Sequence, residues 1–438
     1  MRHQEKTELI EGSFLEILKY KCIDRIVAYA FIIYMCSDFM RSILNYLIPA
    51  FAGKARLISG TMNIILFSLI IAASVGILQR NKLRVWPIYL FVFGTIFLSF
   101  ILHPEYRDWF QHGEYGVDLT IFPLSSGIWM LLLVGLFSDK KKLLNCLLFS
   151  AKPLFIYYIL LFVRFWMRGY WVTIDYQGNE IRNSYNLDFG YNIAFCCVVF
   201  IYLFLKSKKI SYIYALSVGF IIMLMGGSRG AVVGVTLFIA LFFVQRWRTM
   251  QNRTKKMEIV FGVVFGALAT INIGFEKMQE IIVSIATRMN ISGRLIEMIL
   301  SGDILSDSGR NRIWKIAIEI IKENGIRGAG FYGDRYIIGR SYYWGYCHNI
   351  FLELWIDYGT VMGTALIIIL AVSILRMFIK NQDDEWTVLL IIFLSCCVKL
   401  YFSNSFWYHK FFWGLLGVLG LWMKQNSVTF KLFVNKSR

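Results

Sequence analysis

Long apolar runs with few charges recur along the chain, and they constrain its fold more than any other feature. Examples are the stretches at 85–102, 188–205 and 350–375. A helix needs about 17–25 mostly apolar residues to cross the hydrocarbon core of a membrane, and these runs have that length. A transmembrane β-barrel would instead show short segments of alternating polarity. The sequence therefore predicts an all-α polytopic membrane protein.

The composition agrees with this fold class. Of the 438 residues, 57% are hydrophobic and 17% are charged, whereas soluble domains are about half apolar and about a quarter charged. The formal net charge of +18 would also suit nucleic-acid binding. However, the lysines and arginines are concentrated in short links between apolar runs, where they carry information about membrane topology. We therefore expect no nucleic-acid partner.

Apolar runs and their breaks predict about twelve membrane spans. The first contains Asp38 and Arg41 and is expected to be tilted, kinked or partly interfacial. We expect no cleavable signal peptide, because the residues before this span are polar and mixed in charge. The predicted spans lie at 23–50, 59–78, 85–102, 120–137, 143–163, 188–205, 210–226, 230–246, 257–275, 350–375, 386–403 and 406–423.

Basic residues are concentrated in one set of alternating links, including 79–84, 140–142, 206–209 and 245–256. By the positive-inside rule this set faces the cytoplasm, so both termini are predicted to be cytoplasmic. The long link at 276–347 then falls on the outer side. The predicted organisation is nine transmembrane helices in 1–275, this large outer loop in 276–347, and three helices with a cytoplasmic tail in 348–438.

The outer loop is too long for a simple connector. Its segment RIWKIAIEIIKENG, residues 312–325, has apolar residues at helical spacing and a glycine as a plausible stop. It predicts an amphipathic helix that lies on the bundle or at the outer interface. Asp303, Asp307 and Asp334 are scattered in the same loop and are expected to be solvated. We therefore expect no catalytic metal. None of the eight cysteines has metal-ligand spacing, and we expect neither a disulfide framework nor a zinc site.

Three polar stretches are brought to the outer face by this topology. GGSRGAVVG at 226–234 places Arg229 at the membrane edge, where an arginine either marks function or merely anchors a helix end. SGRNRIW at 308–314 places Arg310 and Arg312 at the start of a helix. Cations are disfavoured there unless an anionic ligand shares the site, although a solvated basic face is the alternative.

The third stretch, YCHN at 346–349, lies directly before the tenth predicted span. A histidine in a partly dry site can act as a general base, which would suit His348, and Asn349 could orient a substrate or the ring. A structural histidine at a helix start is the alternative. Of the other histidines, His409 near the end of the last span could line the same cavity, whereas His3, His103 and His112 are weaker candidates.

Together these stretches resemble the O-antigen ligase/polymerase (Wzy-like) family of membrane glycosyltransferases. The resemblance rests on four ordered motifs: SRGAVVG at 228–234, GRNRIW at 309–314, GIRGAGFYG at 325–333 and HNIFLELWIDYG at 348–359. Arg327 is a departure, because members often have an apolar residue or proline near that position. The resemblance implies a C-type glycosyltransferase-like fold in the bacterial inner membrane.

The resemblance also implies a donor, an oligosaccharide on undecaprenyl pyrophosphate at the outer leaflet. Arg229 and Arg310 would contact the pyrophosphate, and His348 would deprotonate the acceptor hydroxyl. Candidate substrate-binding residues are Ser228, Arg312, Arg327, Tyr343 and Asn349. Direct displacement would invert the anomeric centre. Expected partners are the lipid bilayer, and a chain-length regulator and flippase; no cofactor is expected.

Two roles within the family remain open. A polymerase of O-antigen, capsule or exopolysaccharide repeats transfers the growing chain to another lipid-linked repeat, and we favour this role. An O-antigen ligase transfers the finished glycan to lipid A core. A transporter is the rival from another class, because charged residues in membranes also mark transport paths. However, the unusual charges gather at one face, and the sequence shows no internal symmetry.

Overall fold

The computed structural model describes most of the chain, in two compact units that we treat separately: Met1–Ser150 with Arg310–Arg438, and Ala151–Gly309. Within these units the described residues are 11–48, 50, 54–78, 86–111, 116–124, 126–174, 180–183, 186–225, 229–250, 284, 310–340, 345–380 and 384–425.

The described residues are predominantly helical. Numbered among these residues, the helices are α1 (Phe14–Leu18), α2 (Cys22–Met35), α3 (Ser37–Leu47), α4 (Ala55–Leu78), α5 (Trp86–Leu102), α6 (Arg107–Phe110), α7 (Val117–Thr120), α8 (Trp129–Gly135), α9 (Lys140–Arg168), α10 (Leu187–Ser207), α11 (Ser211–Met225), α12 (Arg229–Thr249), α13 (Arg310–Asn324), α14 (Gly333–Ile338), α15 (Ile350–Lys380), α16 (Asp384–Cys396), α17 (Lys399–Phe402) and α18 (Lys410–Gln425). A 3-10 turn at Pro104–Tyr106 precedes α6. One antiparallel hairpin pairs β1 (Trp171–Ile174) with β2 (Glu180–Asn183).

Six described helices are long and apolar enough to cross a membrane, or up to eight if each of two bent pairs is one span. The chain is therefore a multi-pass α-helical membrane protein. One bent pair is α2 with α3, whose axes differ by 76°, so the first predicted span is kinked. In the other pair, α5 meets the short helical segment after it at 102°. The predicted ninth span at 257–275, and most of the predicted outer loop before 310, lie outside the described residues.

The predicted fourth span, 120–137, is not a continuous helix. Only α8 within it is regular, and the preceding residues form turns that include Pro123, which has no backbone N–H to donate. Tyrosine hydroxyls satisfy the irregular backbone: Tyr34 donates to the Ser126 carbonyl at 2.7 Å and Tyr89 to the Ile128 carbonyl at 2.9 Å. Such bonds allow non-helical backbone at membrane depth when it is buried in protein. The short α8 then packs against α18.

The predicted amphipathic helix at 312–325 is present as α13, which ends at Asn324. Ile313, Ala317 and Ile320 are buried in an apolar cluster with residues of the following loop and α15. Gly325 then adopts a left-handed conformation with φ of 51°, and its amide donates to the Ile321 carbonyl. This is the ordinary way for a helix to stop at glycine.

The turn after α13 is bonded to α15, where α15 is broken at Gly359. Gly359 has φ of 76° and lies against the Ile326 carbonyl so closely that a Cβ would overlap it. Only glycine therefore fits here. Ala329 donates its amide to Ile356, and Thr360 donates to Gly325. The loop between α13 and α15 is thereby fixed to the N-terminal part of α15.

The second unit has a helical core of its own. Helix α10 packs against α11 and α12. The β hairpin is anchored to the end of α9, because Trp171 stacks on Phe165 with ring centroids 4.4 Å apart. Arg229 is the first residue of α12.

Candidate functional site

The segment before α15 holds His348 in an unusual backbone conformation. His348 has φ of 55°, in the left-handed region that disfavours residues with a Cβ. Asn349 follows it and caps α15: its Oδ1 accepts the amide N–H of Phe351 at 3.0 Å and, more distantly, that of Leu352. An asparagine just before a helix commonly has this role. The cap gives Asn349 a structural role. A contact between Asn349 and substrate stays a prediction.

Helix α13 reaches the same segment through Trp314. The indole N–H of Trp314 donates to the backbone carbonyl of Cys347 at 3.1 Å. The side chain of Cys347 is fully buried and lies in the apolar cluster formed with Ile313 and Ala317 of α13. Both the carbonyl and the thiol of Cys347 are therefore held, one residue before His348.

Arg310 and His348 lie close enough to interact electrostatically. Burial, with the positive charges of Arg310 and Arg335, lowers the pKa of the His348 imidazole to about 4, against a hydrogen bond to the Ser403 backbone that raises it. The imidazole is therefore neutral at pH 7. A neutral imidazole with one nitrogen bonded to a carbonyl presents its other nitrogen as an acceptor.

Beside this pair lies a buried ionic network that we call the Arg335 cluster: Arg335, Asp334, Glu353, Ser405 and Tyr408. The Arg335 guanidinium donates to Asp334 Oδ1 at 2.7 Å, to Glu353 Oε1 at 2.8 Å and to Ser405 Oγ at 2.8 Å. It also donates to the Tyr408 hydroxyl at 3.1 Å. Arg335, Asp334 and Glu353 are each 0% exposed.

Burial alone would lower the pKa of Arg335, but the oxygens of Asp334, Tyr408 and Glu353 raise the pKa well above its ordinary value. Arg335 therefore stays a cation. Its guanidinium also lies 4.8 Å from the ring centre of Tyr332 and 5.5 Å from that of Tyr346. Because all these groups occupy it, Arg335 is a structural cation and is not placed to bind a substrate phosphate.

Two carboxylates of α15 tie this helix to the segment before α18. Glu353 Oε2 accepts the amide N–H of Phe406 at 3.2 Å, and Asp357 Oδ2 accepts the indole N–H of Trp407 at 2.9 Å. Residues 353 and 357 are one helical turn apart and so lie on one face of α15. Tyr346 adds to this connection by donating to the Ser403 carbonyl. The backbone of Ser403 also forms a hydrogen bond with the imidazole of His348.

The expectation that Asp334 is solvated is wrong. Its carboxylate is fully buried, because it is the nearest counter-ion of a buried arginine. A charge taken out of water is stable only when it is paired in this way. Asp303 and Asp307 lie outside the described residues. Among the described residues, no three His, Cys, Asp or Glu side chains lie close enough together to hold a metal ion; metal independence remains a prediction.

The remaining candidates are placed as follows. Arg312 and Arg327 are exposed, Arg312 on α13 and Arg327 in the turn after it. Arg229 is the first residue of α12 in the second unit, but its side chain lies outside what the structure describes. Ser228 and Tyr343 lie outside the described residues. The structure thus places Arg310 where its charge acts on His348 and leaves the relation of Arg229 to them as a prediction.

The other histidines have separate surroundings. His409 is buried immediately before α18, and burial together with the charges of Lys399 and Lys410 lowers its pKa well below the ordinary value. His103 pairs with Glu105 at 3.0 Å beside the Gly330 turn. His3 and His112 lie outside the described residues.

Sequence reasoning missed Arg335, Glu353 and Asp357, and it gave Trp314 no role. A signal for the carboxylates was present, because acidic residues inside an apolar run are costly and mark buried polar contacts. The left-handed conformation of His348 and the indole bond of Trp314 had no signal in the sequence.

Comparison with known proteins supports the resemblance inferred from the four motifs. The family model described as O-Antigen ligase matches residues 214–368, which include α12, α13, α14 and the N-terminal part of α15. No curated protein and no solved structure matches the chain. The family is one of membrane enzymes of the glycosyltransferase type. Over residues 214–368 the chain is similar to the O-antigen ligase family.

Proposed function

We propose that this protein is a polymerase of lipid-linked oligosaccharide repeat units. It would transfer glycan from undecaprenyl pyrophosphate to an acceptor sugar hydroxyl on the outer face of the bacterial inner membrane, with both termini in the cytoplasm. The observation that supports this most is the pair of Arg310 and His348: the charge of a permanent cation acts on a neutral imidazole just before α15 begins. Both residues lie within the segment that matches the family.

The residue chemistry fits this transfer. As the bond between the anomeric carbon and the pyrophosphate oxygen breaks, its electron pair leaves with the pyrophosphate, and the acceptor oxygen bonds to the same carbon. Arg310 would stabilise the growing negative charge, because a guanidinium stays protonated and matches phosphate oxygens with two parallel donors. His348 would take the proton of the acceptor hydroxyl. Arg229 would contribute a second cation to the pyrophosphate, and direct displacement would invert the anomeric centre.

The low basicity of the free imidazole needs an explanation, since a general base works best with a pKa near the working pH. A bound pyrophosphate places negative charge beside His348 and neutralises the field of Arg310. Both changes favour the imidazolium and raise the pKa of His348. Donor binding would thus increase the strength of the base in the complex in which it is needed.

The lowered pKa of His348 predicts the pH dependence of the reaction. His348 must be neutral to act, and the pKa of the free protein is lowered to about 4. Because kcat/KM reports the free enzyme, we expect it to stay level from about pH 8 down to about pH 5 and to fall only at lower pH. The acid limb of kcat should lie at higher pH. A fall of kcat/KM centred near the ordinary histidine value of about 6.5 would contradict the assignment.

The function itself is tested with purified protein in lipid nanodiscs. Incubation with an undecaprenyl-pyrophosphate oligosaccharide, followed by gel analysis, should give a ladder of products that differ by one repeat. A parallel reaction supplies lipid A core as the acceptor. A single shifted core band without a ladder would assign the ligase role instead, in accord with the description of the matching family model. Unchanged donor in both reactions would reject the proposal.

A further inference from the structure

Arg310 and Trp314 occupy one face of the same helix. They are four residues apart in α13, and residues at this spacing lie one above the other on a helix surface. Arg310 is the first residue of the helix, and Trp314 lies one turn later. Helix α13 is itself fixed, because Ile313, Ala317 and Ile320 are buried in the apolar cluster against α15. The helix therefore presents the two side chains from one packed stretch of backbone.

Each of the two side chains interacts with the His348 segment. The charge of Arg310 acts on the imidazole, and the indole of Trp314 donates to the carbonyl of Cys347 at 3.1 Å. The Trp314 ring is also supported by Tyr401, with ring centroids 6.2 Å apart. One helix thus carries both a charge that acts on the His348 imidazole and a hydrogen-bond donor to the backbone next to it.

The backbone at His348 needs such support. A left-handed conformation at a residue other than glycine costs about 1–3 kcal/mol and persists where its surroundings enforce it. After His348, the Asn349 cap fixes the start of α15. Before His348, the Trp314 indole holds the backbone carbonyl of Cys347 by a hydrogen bond. The orientation of the imidazole depends on both anchors.

We propose that Trp314 is a positioning residue, which holds the His348 imidazole at a fixed distance from Arg310 through the carbonyl of Cys347. This inference rests on the proposed function, in which His348 and Arg310 act on the same substrate. It gives a physical reason for the spacing in GRNRIW: the arginine binds the leaving group, and the tryptophan one turn later fixes the base that faces it.

The test is Trp314→Phe, which keeps an aromatic ring and removes the N–H donor. Misplacement of a reacting group by about 1 Å can cost about 100-fold in rate, so we expect kcat for ladder formation to fall about 10- to 100-fold. The donor KM should change less than about twofold, since in this inference Trp314 acts on the Cys347 carbonyl and not on the donor. Trp355→Phe is the matched control, because the Trp355 indole donates an equally long bond, 3.1 Å, to Thr364.

The pH profile separates positioning from mere loss of structure. A loosened imidazole would be better hydrated and farther from Arg310, so the acid limb of kcat/KM should move up toward the ordinary histidine value of about 6.5. Trp355→Phe should leave both kcat and the limb unchanged. If Trp314→Phe does not fold, 3-benzothienylalanine at position 314 removes the N–H from a ring of nearly the same shape.

Wild-type kcat in either Trp314 variant would overturn the inference, and so would a loss of kcat without movement of the acid limb. If the wild-type protein itself forms no product from the lipid-linked donor, the proposed function fails, which is a different result.

Discussion

Replacing Arg335 with methionine is expected to destabilise the protein more than any other single substitution of an arginine in the described residues. The guanidinium is the counter-charge of Asp334 and Glu353, all three being fully buried. Removing one partner of such a network leaves buried carboxylates without compensation, which costs about 3–5 kcal/mol. Purified Arg335→Met should therefore show a large drop in thermal midpoint, measured by the loss of its monodisperse peak in detergent after heating.

Arg340→Met is the matched control for this experiment. Arg340 is exposed just beyond α14, where its guanidinium lies over the Tyr336 ring at 3.9 Å. Its removal leaves no buried charge, so little change in the midpoint is expected. The double variant Arg335→Met with Glu353→Gln should recover part of the loss, because it neutralises one of the stranded carboxylates. Equal midpoints for Arg335→Met and Arg340→Met would show that the buried network does not stabilise the fold.

The Arg335 cluster is connected to the segment that carries His348. Tyr346 and Ser403 connect the cluster to His348: Arg335 lies over the Tyr346 ring, Tyr346 donates to the Ser403 carbonyl, and the same residue bonds the imidazole. The tilted Tyr346 ring also lies 4.1 Å from the ring centre of His348. The Arg335 cluster thus stabilises the segment that carries His348, whose backbone is strained.

The sequence could predict what depends on local pattern. Apolar run length predicted most of the described long helices, and the spacing of isoleucines and alanine predicted α13 with Gly325 after it. In these cases burial of one face or of a whole run decides the structure. Similarly, the order of the motifs pointed to the family whose model matches residues 214–368, because that order does not require knowledge of their contacts.

The sequence could not predict what depends on distant contacts. Asp334 was expected in solvent because the burial of its partner, the adjacent Arg335, depends on Glu353 in another element, which only the folded chain brings to Arg335. The break in the fourth predicted span depends on hydroxyls from Tyr34 and Tyr89, which are far away in sequence. In both cases a local pattern gave the wrong answer because a polar group found a partner across the fold.

Replacing either Arg310 or His348 should abolish formation of the product ladder while leaving the protein folded. Loss of one group that stabilises developing charge costs about 100- to 1,000-fold in rate, so Arg310→Ala is expected in that range. Arg310→Lys should also be strongly impaired, because an ammonium lacks the paired donors that match phosphate oxygens. Arg229→Ala is expected to behave like Arg310→Ala if both cations contact the same pyrophosphate.

For His348 the informative variant is His348→Asn. Asparagine tolerates a left-handed backbone with φ of 55°, so the segment before α15 should keep its conformation, but its amide cannot take a proton. Loss of a general base costs about 100- to 10,000-fold, and the loss should appear in kcat. Lys322→Ala, an exposed cation on α13, is the control for altered charge. A ladder of normal length and yield from folded His348→Asn would remove His348 from the reaction, and the pairing with Arg310 would then be structural.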